Sequence, residues 1–243
     1  DEYGASGSSV PDFGFKNKTF SIASSELSLN LNVNQAQMVD IPFGTSKPGE
    51  TSIVKVNDGI GIMKINLIDT GNFMLDGGAI FGVVPKSLWS QQYKANDQNL
   101  CNMAMRSLLV ETENRKILVD TGIGKKQDEK FFSYYYLNGQ KTLEGSLMEQ
   151  GVTPEDITDV ILTHLHFDHC GGAVVYDAAG NLVPAFPNAK YYVSRQQWEW
   201  ALHPNARERP SYRPENYMPL YKAGCLAFIE NDGEFVPGFT LRM

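Results

Sequence analysis

Three of the four histidines fall within six residues, at His164, His166 and His169. Asp168 stands between the last two, and Gly171 and Gly172 follow closely. Imidazole and carboxylate together are the donor set of a zinc site, or of iron and manganese where the carboxylate share is higher. Side chains two apart on an extended exit share a face, so His164 and His166 can address one ion. Asp168 and His169 come after the chain turns and can address a second ion beside it. The two glycines permit a tight backbone turn behind the donors. The chemistry open to such a set is the binding of metal ions.

These donors need a rigid frame, and the sequence supplies one. The apolar run at residues 160–162 reads as a short buried strand that ends where the histidines begin. Residues 106–112 and 116–120 read as two strands joined by a turn at 113–115. Residues 143–150 read as a helix stopped by Gly151, and Thr153-Pro154-Glu155-Asp156 reads as a helix start. Residues 190–193 read as a strand, followed by a helix capped at Ser194 and running through Trp200; 226–229 and 239–243 read as further strands. Residues 63–71 read as a strand running into a loop.

Residues 1–62 differ from the rest. The Gly- and Ser-rich start at 1–14 has too little apolar surface to order itself. Alternation at 20–22, 27–33 and 52–56 reads as half-buried strands, with turns at 44–49 and 57–59. The expected organisation is a β-rich, partly disordered N-terminal extension over 1–62 and an α/β catalytic region over 63–243.

The run from Thr163 to Gly172 resembles the signature THxHxDHxGG of the metallo-β-lactamase superfamily, and the likeness extends over about residues 63–243. That resemblance implies an αββα sandwich with two zinc ions per complete site. It implies that His164 and His166 bind the first metal and that Asp168 and His169 bind the second. Leu118-Val119-Asp120-Thr121-Gly122 resembles the family's preceding motif, so Asp120 is expected beneath the site, orienting a ligand. Residues 75–86 and 106–110 are similar to the branch containing N-acyl-homoserine lactonases and methyl-parathion-type hydrolases. The implied activity is opening of lactones or cleavage of related esters by a hydroxide held at the metals, with Asp168 helping to steer a proton to the leaving group. A glyoxalase II-like thioesterase, a phosphotriesterase and a truncated, non-catalytic metal-binding protein are the alternatives. Walls for a small-molecule substrate are expected from Phe81, Trp89, Phe131, Phe132 and Tyr134 to Tyr136, with core packing an equal alternative for residues 131–136.

The family brings three more ligands from its second half, and the one later histidine here, His203, precedes a proline at a helix end. It reads as a surface or capping residue. The expectation is a fold incomplete at its C-terminus, whose uncovered sheet would favour a homodimer. A net charge of -7 with scattered basic residues argues against nucleic acid as a partner. No run of roughly 18 or more apolar residues marks a membrane span, and no basic start with an apolar run marks a signal peptide. Cytoplasmic and exported locations both stay open. Cys101, Cys170 and Cys225 are read as free thiols, with Cys170 buried under the metal loop.

Overall fold

The computed structural model describes residues 28–31, 51–55 and 62–243. The strands expected at 20–22, the ends of the 27–33 stripe and the turns at 44–49 and 57–59 lie outside these residues. Two short strands, β1 (Ser28–Leu31) and β2 (Thr51–Lys55), precede the 15-residue β3 (Ile62–Asp76). The chain continues through α1 (Gly77–Phe81), α2 (Lys86–Trp89), β4 (Leu100–Glu111) and β5 (Lys116–Val119). It proceeds to α3 (Glu129–Ser133), α4 (Leu143–Glu149), β6 (Asp159–Ile161) and α5 (Phe167–Cys170). After β7 (Val174–Tyr176), β8 (Leu182–Pro184) and β9 (Lys190–Ser194) come α6 (Arg195–Leu202) and α7 (Met218–Lys222). The last strands are β10 (Leu226–Ile229), β11 (Gly233–Val236) and β12 (Phe239–Arg242).

Seven strands form a mixed sheet in the order β10-β9-β6-β5-β4-β3-β2, and β1-β12-β11 form a smaller antiparallel sheet. Neither β1 nor β2 stands apart: β1 pairs with β12 and β2 with β3, although both come from the stretch that the sequence sets aside as an extension. Central strands carry unbroken apolar runs because both faces are covered. Leu108 and Val110 of β4 pack with Val236, Phe239 and Leu241 of the small sheet. Leu109, between them, points the other way, into the core that also contains Leu143 and Leu147 of α4 and Trp198 of α6. The result is helices on one face of the large sheet and a second sheet on the other, three layers of an αββα sandwich.

Two expectations are corrected. The strand from residue 63 does not end in a loop near Gly71; β3 bulges between Asp69 and Asn72 and then pairs with β4 as far as Asp76. Gly71 takes φ +99, a conformation that glycine adopts without strain, so the ladder survives the bulge. The helix expected at Thr153 is a single 3-10 turn, Pro154–Asp156. Ile157 is already fully buried and β6 begins at Asp159, which leaves no room for a second turn.

Candidate metal centre

Strands β5, β6 and β9 run parallel, so their carboxyl ends open at one edge of the sheet, where α/β proteins assemble their sites. The chain leaves β5 at Asp120 (φ +58) and leaves β6 into the histidine loop. Ser194 at the end of β9 caps α6 by accepting from the Gln197 amide. Gln197 then accepts from the Leu165 amide at 3.3 Å, tying α6 to the middle of the loop.

Asp120 is buried beneath the loop and organises it. Its carboxylate accepts from the Thr163 amide (2.8 Å) and hydroxyl (2.8 Å), and it meets His169 Nδ1 at 2.8 Å. An anionic acceptor fixes the proton on Nδ1 and leaves Nε2 as the donor available to an ion. His169 Nε2 faces Asp168 Oδ2 at 3.5 Å. The His164 ring lies 4.0 Å from that of His169 and 4.6 Å from that of His166, centroid to centroid. The loop thus brings its three imidazoles together, with Asp168 beside them and Asp120 below.

Electrostatics follow from burial and neighbours. Burial, helped by the nearby His169 and His166, pushes His164 down to about 2, so it is held as neutral imidazole, the ligand form. Burial alone would lower His169 too, but the carboxylates of Asp120 and Asp168 outweigh it and push the group up to about 9. An ion entering at His169 Nε2 therefore displaces a proton. The Cys170 thiol is fully buried and pushed well above its ordinary value, which makes it inert.

A set of three imidazoles and one carboxylate, with one imidazole fixed by a buried carboxylate, fits a divalent ion in donor chemistry. Among the described residues, however, no three His, Cys, Asp or Glu side chains are already gathered as a group that could hold one. The fit rests on donor type and on the Asp120 buttress, not on a finished cage.

A second loop, residues 120–126, grips the first from below. The Thr121 amide and hydroxyl donate to the His169 carbonyl at 2.7 and 3.0 Å, and the Gly172 amide donates to the Gly122 carbonyl at 3.0 Å. Lys126 turns inward, and its Nζ donates to the Gly171 carbonyl. Burial pushes this ammonium down to about 8.

Beside the loop lies a cavity of about 390 Å³. Phe73, Leu75, Ala79, Tyr135 and Phe167 give it apolar walls, His166 and Asp168 face it, and Arg207, Glu208 and Ser211 close one side. Of the aromatic residues expected as walls, Tyr135 lines this cavity. Phe131 is buried behind it against Phe73 and Phe167, Tyr134 and Tyr136 face solvent, and Phe81 stacks on the buried Trp89. His203 is exposed at the C-terminal cap of α6. Sequence reasoning missed Tyr212, whose ring packs 4.7 Å from that of His166, and also Lys126 and Gln197. No local pattern marks Tyr212 or Gln197, and Lys126 is masked by its neighbour Lys125, an ordinary surface residue paired with Glu144. No helix of the described residues is long and apolar enough to cross a membrane.

Comparison with known proteins places this site in context. Residues 106–240 match the metallo-beta-lactamase superfamily. An N-acyl homoserine lactonase of Bacillus thuringiensis is 30% identical over 192 residues, covering 74% of this chain and 64% of its own. The crystal structure of a probable metal-dependent hydrolase from Staphylococcus aureus is 36% identical with a TM-score of 0.66, covering 75% of this chain and 64% of that one. An N-acyl homoserine lactone hydrolase, solved with N-hexanoyl-L-homoserine bound at its catalytic metal centre, is 28% identical with a TM-score of 0.53 and covers 73% of this chain and 64% of its own. The chain spans 64% of the length of the curated lactonases it matches. The matched stretch contains both the strand-exit Asp120 and the whole histidine loop, and the chain belongs to the metallo-β-lactamase superfamily.

Proposed function

We propose that this protein is a metal-dependent hydrolase that opens lactones or cleaves related esters, with two zinc ions at the histidine loop. The observation that carries the reading is the cavity directly beside His166 and Asp168, which sets an apolar wall of Phe73, Leu75 and Phe167 against a polar one. Such a cavity suits an acyl chain, and its polar face presents donors and acceptors for a carbonyl group. Relatives described as lactonases, including one with an acyl-homoserine at its metal centre, support the same substrate class.

His164 and His166 would hold one ion and Asp168 and His169 the other. When bound, the ions supply Lewis-acid polarisation of a carbonyl and a water of lowered pKa. The chain's own residues do the rest. Asp120 keeps His169 oriented. Phe73, Leu75 and Phe167 exclude water from the acyl side. Asp168, which lines the cavity, would accept a proton as water adds to the carbonyl and return it to the leaving oxygen.

Side-by-side assays with a homoserine lactone panel, a thioester and a phosphotriester test this on metal-loaded protein. Lactone opening is the expected result. Turnover of the thioester alone would replace this reading with a glyoxalase II-like one, and no turnover of any substrate with metal bound would refute it.

A further inference from the structure

We propose that Lys126 is a positioning residue of the metal loop, its ammonium holding the Gly171 carbonyl so that Asp168 and His169 stay in place above Asp120. This inference rests on the reading of that loop as a metal centre. Adjacent lysines meet opposite fates here. Lys125 is largely exposed and paired with Glu144, whereas Lys126 turns under the loop and donates to a backbone carbonyl. Among the described residues Lys126 forms no ion pair; Glu215, Arg213 and the Cys170 thiol are the titratable groups that face it. Keeping an ammonium under a loop with a carbonyl as its hydrogen-bond acceptor and no ion pair is costly. A neutral apolar side chain would fill that space at less cost, so what the charge achieves must lie in what it holds.

What it holds is the far end of the clamp between residues 120–126 and the histidine loop. Thr121 grips the His169 carbonyl, and Gly122 accepts from Gly172. The two backbones then approach so closely that a Cβ on Gly124 would sit 2.5 Å from the Gly171 oxygen, and one on Gly171 would sit 2.1 Å from the Ile123 oxygen. Lys126 is the last contact of this series and the one with a charged donor, which makes the stronger kind of hydrogen bond. Its carbonyl partner lies two residues beyond His169. Release of that carbonyl lets the turn after His169 relax, and the alignment of His169 with Asp120 relaxes with it.

The test uses Lys126→Met, which keeps the stem and removes the ammonium, and Lys126→Arg, which restores a charged donor. Amide hydrogen exchange is followed on the metal-free full chain, and cobalt(II) binding is followed by visible absorbance. Lys126→Met is expected to speed exchange of the Thr121 and Gly172 amides about tenfold and to weaken cobalt(II) binding about tenfold, the weight of one hydrogen bond to a charged donor. The Leu118 and Ile161 amides in the sheet should keep their wild-type rates, and Lys126→Arg should recover part of both losses. Exchange at Thr121 and Gly172 within twofold of wild type in Lys126→Met would overturn the proposal. So would loss of the folded far-ultraviolet signal in both variants, which would make Lys126 a general support of the fold. Should the wild-type protein bind no cobalt(II), the metal reading fails by itself, and the exchange arm still decides whether the clamp exists.

Discussion

Asp120→Asn keeps the shape under the metal loop and removes its charge. In the native protein the carboxylate accepts from the Thr163 amide and hydroxyl and faces His169 Nδ1 at 2.8 Å. An asparagine oxygen can still accept from Thr163, but its NH2 then meets His169 Nδ1, so a donor faces a donor or the tautomer flips. His169 is held at about 9, above its ordinary 6.5. The sign follows from that direction: the protonated group stabilises the metal-free fold fully below 6.5, and the stability is lost as pH rises through 9. The whole gap corresponds to roughly 3 kcal/mol. Asp168 supplies part of it and the imidazole is 31% exposed, so about 2 kcal/mol is assigned to Asp120. Lys126 acts in the opposite direction, because a lysine held at about 8 relieves a cost of folding as pH rises toward its ordinary 10.5. The comparison of wild type with Asp120→Asn cancels that contribution. In denaturant unfolding of the metal-free proteins, the stability advantage of wild type over Asp120→Asn should shrink by about 2 kcal/mol from about pH 6 to about pH 9. Saturating zinc should remove this pH dependence, since the ion takes the place of the proton. A difference between wild type and Asp120→Asn that stays constant over this range would refute the buttress.

Three further outcomes follow from the same geometry. Gly171→Ala should cost about 3 kcal/mol in unfolding experiments, because the new methyl group meets the Ile123 carbonyl, while Gly233→Ala, with open space around it, should leave stability unchanged. Asp168→Asn should lower lactone turnover by about 10²- to 10⁴-fold with a much smaller change in melting temperature, since the turn of the loop rests on its glycines; a loss of stability as large as the loss of rate would assign Asp168 to the fold. Ala79→Phe narrows the cavity beside His166 and should raise KM increasingly with acyl-chain length at nearly constant kcat; a KM independent of chain length would place the acyl group elsewhere.

Legibility in the sequence followed the range of the forces involved. The helix at Leu143–Glu149 was readable because its signals are local: Thr142 accepts from the Gly145 amide, and Gly151 takes φ +71 just beyond the end. The strands at Lys116–Val119, Lys190–Ser194 and Leu226–Ile229 were readable as apolar runs between turn residues. Continuation of β3 past Gly71 was not, because Asp69-Thr70-Gly71-Asn72 reads locally as a turn and only pairing with β4 carries the strand through it. The cavity wall failed for a related reason. Five of the six residues at 131–136 are aromatic, yet α3 and the turn after it set Phe131 and Tyr135 against Phe167 and leave Tyr134 and Tyr136 in solvent. Composition names the aromatic residues; the direction of one helical turn selects among them.

The donors themselves were legible from spacing, while what makes them usable was not, and the difference bears on how such a site can change. His164, His166, Asp168 and His169 lie on one loop, so their order is encoded within six residues. Their alignment depends on Asp120, Thr121, Gly122 and Lys126 on a separate loop some 40 residues earlier, joined to the first only because β5 and β6 are parallel neighbours that end at the same edge. Most of that junction is backbone on backbone: Thr121 to His169, Gly172 to Gly122, Gly124 against Gly171. Backbone contacts constrain side chains only by demanding small ones, so substitutions elsewhere on these loops can alter the cavity without disturbing the donors. The two charged side chains in the junction, Asp120 and Lys126, are the exceptions. One fixes a ring nitrogen and the other a carbonyl two residues further on, and together they bracket His169 from both sides. A change at either position should therefore be felt first at His169, before His164 or His166, and that order can be read from the ring resonances of the three histidines in the metal-free protein.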